Sequence, residues 1–240
     1  MSLFKHRKKP DVPYCAAVVV AAGSSTRMEG QDKIMLPLRG DPVIVHTLRV
    51  LEYSPWIQEI VVVTREDLIV PVSKLCADNF LTKVTKVAVG GGTRAESVGN
   101  GISEVSERAE LIAVQDGARP LLTAQVLEDA VRAAARCGAA APAIPVKDTV
   151  KRAVNGVVQE TPDRAGLFAV QTPQVFEADL IRAAIHQALT QNLAVTDDCS
   201  AVERLGMKVT LTGGSEENIK ITTPTDLWIA EAILQGRETR

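Results

Sequence analysis

Residues 15–33 read CAAVVVAAGSSTRMEGQDK. The apolar run from Cys15 to Ala22 is too short to span a membrane and fits a buried strand of a parallel sheet. It stops at Gly23, and a loop of small polar residues follows, Ser24-Ser25-Thr26, then Arg27 and, six residues on, Lys33. Glycine and small side chains let backbone amides approach a ligand closely. Two cations just beyond those amides suit a nucleoside triphosphate. The same kind of loop also serves as a plain turn after a strand, so the rest of the chain has to decide between the two.

Composition narrows the choice. A chain of 240 residues fits one large α/β domain and can bury a substantial core. With 46% hydrophobic and 23% charged residues it resembles ordinary soluble globular proteins. Aromatic residues are only 3%, too few for a platform that stacks nucleic-acid bases. The net charge of −2 offers no broad attraction to nucleic acid or to an anionic membrane. An anionic ligand would therefore need a local cluster of cations. No stretch has the length of a transmembrane helix.

Cys15, Cys76, Cys137 and Cys199 form no CxxC or metal-like spacing. They read as reduced thiols of a cytoplasmic protein, with Cys15 in a strand pattern. His6, His46 and His186 show no pairing pattern with any cysteine that would suggest a catalytic thiol. Residues 1–13 carry Lys5, His6, Arg7, Lys8 and Lys9 with Pro10 and Pro13. They read as a flexible, solvated basic tail, because the apolar segment that follows carries the glycine loop and lacks a cleavage-like region.

Strands and helices then alternate. Apolar residues at 44, 45, 48 and 51 predict a helix over 43–53. Residues 60–63 predict a second strand, and residues 66–79 a partial helix that Pro71 should interrupt. Residues 84–89 predict a third strand, followed by Gly90-Gly91-Gly92-Thr93-Arg94 and a helix running to about residue 107. Ser97 at its start caps the helix, lines it or binds ligand. Residues 111–115 predict a fourth strand ending on Asp116-Gly117. There the acid either faces a ligand cleft or makes a local Asx turn. Thr123 and Gly138 bracket an Ala-rich helix, and a small-residue strand follows at 139–146. This alternation predicts an α/β fold with a doubly wound, mainly parallel sheet, in which ligands sit outside the C-terminal strand ends.

The segment 146–165 breaks the pattern. Asn155-Gly156 between two β-rich runs is a strong hairpin signal. Such a hairpin is marginal by itself, so the sequence predicts an arm packed against a second copy of the chain, or else a flap over the site. A strand at 167–170, a helix at 177–190, a helix capped by Thr196, a strand at 208–211 and a helix starting near Thr225 behind Pro224 complete the reading.

Together, AAGSSTRM with Lys33, GGGTRAESV, QDGARP, VKDTVKR, TPDR, QTPQ, VTDDCS and ENIKITTPTDL resemble, in order, the motifs of the 2-C-methyl-D-erythritol 4-phosphate cytidylyltransferase family. The resemblance spans about residues 15–235. It implies a single nucleotidyltransferase domain over 1–240, Rossmann-like and of the nucleotide-diphospho-sugar transferase type, with a protruding β-hairpin arm. It implies CTP and methylerythritol 4-phosphate as substrates, Mg²⁺ bound mainly through the CTP phosphates, no metal ligands assigned to the protein, and a homodimer with interlocked arms.

By the same resemblance, Arg27, Lys33, Arg164 and Lys220 carry the catalytic charge. Ala21, Ala22, Gly23, Ser24, Gly91, Arg94, Ser97, Asp116 and Gly117 hold CTP. Asp116, Arg119, Thr149, Arg164, Thr172, Thr196 and Lys220 hold the acceptor. Two departures stand out. Gln115-Asp116-Gly117 replaces the family's frequent His-Asp-Ala, and Lys147 stands where arginine is common, which keeps the charge and loses the planar fork. A sister cytidylyltransferase acting on ribitol 5-phosphate shares the nucleotide loop, and a catalytically silent nucleotide-binding homologue shares the fold. Retention of Arg27, Lys33, Arg164 and Lys220 together argues against the silent homologue.

Overall fold

A computed structural model describes residues 12–23 and 32–239. The basic residues of the tail, Ser24 and Arg27 lie outside the described residues. Strand β1 (Cys15–Ala21) is buried along nearly its whole length, as an apolar run in a parallel sheet should be. A tight pair of two-residue strands, β2 (Pro37–Leu38) and β3 (Asp41–Pro42), leads into α1 (Val43–Tyr53). Then come β4 (Glu59–Thr64), α2 (Ile69–Asp78), β5 (Val84–Val89), α3 (Arg94–Ser103), β6 (Leu111–Asp116), α4 (Ala124–Cys137) and β7 (Ala139–Pro145).

The hairpin of β8 (Arg152–Val154) and β9 (Val157–Glu160) follows, then β10 (Phe168–Val170), β11 (Gln174–Glu177), α5 (Ala178–Thr190), α6 (Asp198–Glu203), β12 (Thr210–Gly213) and α7 (Pro224–Glu238). No helix among the described residues is long and apolar enough to cross a membrane.

The main sheet has the order β10-β7-β11-β6-β1-β4-β5, with β12 alongside β7. β1 pairs in parallel with β4 on one side and β6 on the other, so Val18 sits between Val61 and Val114. The chain builds outward from β1 through β4 to β5, then crosses back to lay down β6 on the far side. β1 is therefore the switch point of the sheet, where a crevice opens beyond the strand ends. Gly23 lies just beyond the end of β1, at that crevice.

Alternate side chains of β1 enter two cores. Ala17 and Val19 pack with α1, α2, α4 and α7, while Ala16 and Val18 pack with α3, α5 and α6. Helices on both faces make the sheet doubly wound, as the sequence pattern predicts. Each fully buried Leu or Ile in these layers, such as Leu48, Leu127 or Ile181, contributes about 1.5–3 kcal/mol relative to exposure.

Several local expectations are corrected. Pro71 does not interrupt its helix, because it is the third residue of α2, where no intrahelical N–H bond is lost; a short 3₁₀ turn at Glu66–Leu68 precedes it. α3 ends at Ser103 and not near 107, and Thr93 caps it in a capping box with Glu96. Asp197, not Thr196, caps α6, accepting from the Ser200 amide at 2.9 Å. A carboxylate one residue later fits the cap geometry that the threonine was expected to fill. The late strand falls at 210–213. β11 was not expected at all: it is four residues long and runs antiparallel between β6 and β7.

The hairpin is confirmed. Asn155 and Gly156 both have positive φ, at 51° and 78°, the signature of the two-residue turn that suits twisted strands. Its side chains are exposed throughout, Val154, Val157 and Val158 among them.

Candidate active site

The crevice at the ends of β1, β4, β5 and β6 is a cleft of about 620 Å³. Val20, Ala21, Ala22 and Gly23 line one part of it, and Gly90-Gly91-Gly92-Thr93-Arg94 with Ser97 line another; Lys33, Asp116 and Lys220 also border it. Gly90 lies so close to Ala22 that an added Cβ would come within 2.4 Å of the Ala22 Cβ. Only glycine lets the two loops meet there.

The second loop is held by its own helix. Glu96 accepts from the amides of Gly92 at 2.6 Å and Thr93 at 3.2 Å, and the Ser97 hydroxyl accepts from Gly91 at 3.1 Å while donating to the Thr93 carbonyl at 2.9 Å. Ser97 thus lines the helix start and braces the loop; the cap is Thr93. Lys33 belongs to a turn whose next residue, Ile34, is buried in the core. Its ammonium sits beside Gly23, 3.9 Å from where a Cβ on that glycine would be.

Asp116 is the hub. It stands at the last position of β6, 5% exposed, and its carbonyl accepts from the Arg119 amide at 3.2 Å in the turn that follows, while its carboxylate borders the cleft. Its Oδ1 accepts from Arg94 Nη1 at 2.7 Å. Its Oδ2 accepts from Arg119 Nε at 3.2 Å and pairs with Lys220 Nζ at 3.0 Å. Arg94 spans to a second carboxylate, Asp198, through Nη2 at 2.7 Å. Three cations therefore share two buried carboxylates, an arrangement with one positive charge in excess.

The electrostatics follow from burial and contact. Burial would push the Asp116 carboxyl up, but Arg94, Lys220 and Arg119 outweigh it and hold the group well below the usual carboxylate range. At Asp198 burial dominates and raises the carboxyl despite Arg94. Cys15 and Cys76 are buried thiols pushed up to about 12 and about 11, so neither is a thiolate nucleophile near neutrality.

Two sequence blocks acquire a physical meaning here. Thr172 places its hydroxyl to accept from the Asp116 amide at 3.1 Å, and its carbonyl accepts from Asn218 Nδ2 at 3.1 Å. Gln174 at the start of β11 receives the amides of Asp198 and Cys199 on Oε1, both at 3.0 Å, and donates from Nε2 to Asp197 at 2.8 Å. The segments QTPQ and TDDCS are thereby locked together beside the cations. Gly117 sits behind the cleft, its amide donating to Val20 O at 2.9 Å and its carbonyl accepting from Thr47 at 3.0 Å.

Of the sequence-predicted residues, the structure brings Ala21, Ala22, Gly23, Lys33, Gly91, Arg94, Ser97, Asp116 and Lys220 to one cleft, with Arg119, Gly117 and Thr172 directly behind it. It does not bring Thr149, Arg164 or Thr196 there. Thr149 and Arg164 are exposed at the root of the arm, where Arg164 donates to the Lys147 carbonyl. Thr196 borders a separate depression with Phe168 and Val170. Sequence reasoning missed Asp198 and Gln174, whose partners lie far away in the chain. The available signal was a second aspartate directly after Asp197, set beside Cys199, Ala201 and Val202, which are apolar and buried.

A family model described as 2-C-methyl-D-erythritol 4-phosphate cytidylyltransferase matches residues 15–236. The protein of that name from Caldanaerobacter subterraneus subsp. tengcongensis is 44% identical over 227 residues, covering 92% of this chain and 98% of the relative. That from Dehalococcoides mccartyi is 43% identical over 220 residues, covering 91% and 95%. The crystal structure of 4-diphosphocytidyl-2C-methyl-D-erythritol synthase from Anaerococcus prevotii superposes with a TM-score of 0.84 at 30% identity, covering 94% of this chain and 97% of that one. Asp116, Arg94 and Lys220 thus stand at the switch-point crevice of a fold shared with these enzymes, and the chain belongs to the 2-C-methyl-D-erythritol 4-phosphate cytidylyltransferase family.

Proposed function

We propose that this chain transfers CMP from CTP to 2-C-methyl-D-erythritol 4-phosphate, releasing pyrophosphate, as a cytidylyltransferase of the non-mevalonate isoprenoid pathway. One observation carries the reading: Lys33, Arg94, Arg119 and Lys220 converge at the strand ends beside two glycine loops, in a chain whose overall net charge is −2. In the reaction the acceptor phosphate attacks the α-phosphorus of CTP, a new P–O bond forms, and the bond to the leaving pyrophosphate breaks. The acceptor is already an anion, so no protein nucleophile is required. Catalysis consists of aligning two polyanions and stabilising charge on the equatorial and leaving oxygens.

The residues divide that work by position. Ala21, Ala22 and Gly23 offer backbone to the nucleotide, and Gly91 with Ser97 offers small polar groups to the base. Lys33 faces the triphosphate. Lys220, with Arg119 behind it, aims the acceptor phosphate. Arg27, outside the described residues, joins Lys33 by resemblance to the family.

Mg²⁺ is proposed to enter with CTP. Both Asp116 oxygens are engaged by cations, and among the described residues no group of three His, Cys, Asp or Glu side chains could hold a metal. The donor set fits an ion held mainly by phosphate oxygens, where it would neutralise their charge. The free cysteines support a cytoplasmic enzyme.

Pyrophosphate release from CTP and methylerythritol 4-phosphate with Mg²⁺ tests the reading. Equal or faster turnover with ribitol 5-phosphate would reassign the acceptor, and folded protein inert toward both would mark a silent nucleotide-binding homologue. The exposed valines of the hairpin support a homodimer held by interlocked arms, which would also bring Thr149 and Arg164 to a neighbouring cleft. Deleting residues 150–160 should then weaken dimerisation and turnover together. Sedimentation and kinetics showing a monomer of full activity would sink that reading.

A further inference from the structure

We infer that Arg65 is a positioning residue for Lys33, acting through Asp32. Arg65 is the first residue beyond β4 and lines the same cleft wall as Lys33. Its guanidinium is fixed by a two-pronged grip on Asp67, Nε to Oδ1 at 3.0 Å and Nη2 to Oδ2 at 2.9 Å. That fork leaves Nη1, which donates to Asp32 Oδ2. Asp32 directly precedes Lys33. Its other oxygen, Oδ1, accepts from the Ile34 amide at 3.1 Å, and its carbonyl accepts from Met35 at 3.0 Å.

The turn that carries Lys33 is thus pinned twice. Ile34 buries one side in the core, 1% exposed, and its carbonyl accepts from Ile44 at 3.0 Å. The Asp32 carboxylate, 12% exposed, ties the other side to the end of β4 through Arg65.

A guanidinium suits this task and an ammonium does not. Only a planar fork can hold Asp67 with two donors and still present a third to Asp32. Arg65 is also two-thirds covered and carries two carboxylates on its one charge, so it adds little free positive potential for a triphosphate to use. Its effect on the reaction is therefore geometric and is transmitted through Lys33.

The inference rests on Lys33 acting in the proposed transfer, and a double-mutant cycle separates the two. Arg65→Ala, Arg65→Lys and Asp32→Asn are made singly, and Arg65→Ala is combined with Lys33→Ala; pyrophosphate release and thermal midpoints are measured. Arg65→Ala should lower kcat by about 10–100-fold, the scale of a misplacement near 1 Å, while KM for CTP changes by less than about threefold. Asp32→Asn should act in the same direction, and Arg65→Lys should not restore the rate. In the Lys33→Ala background, Arg65→Ala should cost nothing further. An additional loss there equal to that in the native background overturns the inference, because Arg65 would then act independently of Lys33. Unchanged kcat in Arg65→Ala overturns it as well. A wild-type protein without turnover, or a Lys33→Ala variant at full rate, overturns the role given to Lys33 and with it anything transmitted through that residue. Thermal midpoints close to wild type exclude general loosening as the cause.

Discussion

Lys33→Ala is expected to lower kcat by about 10²–10³, the cost of losing one preorganised donor to a developing oxyanion. The side chain reaches the cleft beside Gly23 from a turn anchored by Ile34. The oxygen that bridges the α- and β-phosphorus in CTP gains charge as its bond to the α-phosphorus breaks and it leaves as a terminal oxygen of pyrophosphate, so a cation placed there stabilises the transition state more than the bound substrate. KM for CTP should therefore change less than kcat. Arginine at this position should restore only part of the rate, since its broader fork does not reproduce a compact ammonium. Steady-state kinetics with unchanged circular dichroism would check the result. A rate within threefold of wild type would remove Lys33 from the chemistry.

The second large effect belongs to Asp116. Asp116→Ala leaves Arg94, Arg119 and Lys220 around a single remaining carboxylate, Asp198. Removing one partner from a buried ionic group typically costs about 3–5 kcal/mol, because the others keep their desolvation cost without its compensation. A marked fall in the urea midpoint is expected, with turnover reduced because Lys220 and Arg119 lose their common anchor. Pyrophosphate, an anion that can replace the missing charge, should raise the thermal midpoint of the variant more than that of wild type.

The pH dependence has a definite sign. The folded pKa of Asp116 lies below its unfolded value of about 3.9, so its stabilisation is complete above that value and is lost as the pH falls through the depressed one. Asp198, raised by burial, acts the other way: stability on its account falls as the pH rises from its unfolded to its folded pKa. Asp116→Asn should therefore flatten the acid limb of the stability curve. A limb as steep as that of wild type would place the acid sensitivity elsewhere.

The parts of the fold that could be read in sequence are those whose signal is local. Val18 to Val20, Ile60 to Val63 and Leu111 to Val114 announce buried strands by unbroken apolar runs, and Thr123 and Gly138 mark the ends of α4 by chemistry that acts within a few residues. The turn at Asn155-Gly156 is legible for the same reason. β11 is not, because Gln174-Val175-Phe176-Glu177 is short and mixed, and pairing with β6 and β7 makes it a strand. The site divides along the same line. The glycine loops and Asp116 stand out by their places at strand ends. The contacts of Asp198 with Arg94, 104 residues apart, and of Arg65 with Asp32, 33 apart, depend on how the sheet brings distant ends together. Thr149, Arg164 and Thr196 carry family motifs on segments that lie away from the cleft of their own chain.

The route of the chain around β7 has a mechanical consequence. Residues 146–167 leave the sheet from the tip of β7 and rejoin it at β10, whose Phe168 lies against Pro145 and whose Val170 lies against Ala143. The Gln171 amide then bonds to the Pro142 carbonyl before the chain turns into β11 against β6. The arm is thus a lever with one fulcrum, and that fulcrum abuts the residues that seat Asp116. A load applied at the Asn155 tip, about ten residues beyond Pro145, is led back through β10 to Gln171 and so to Thr172, whose hydroxyl accepts from the Asp116 amide.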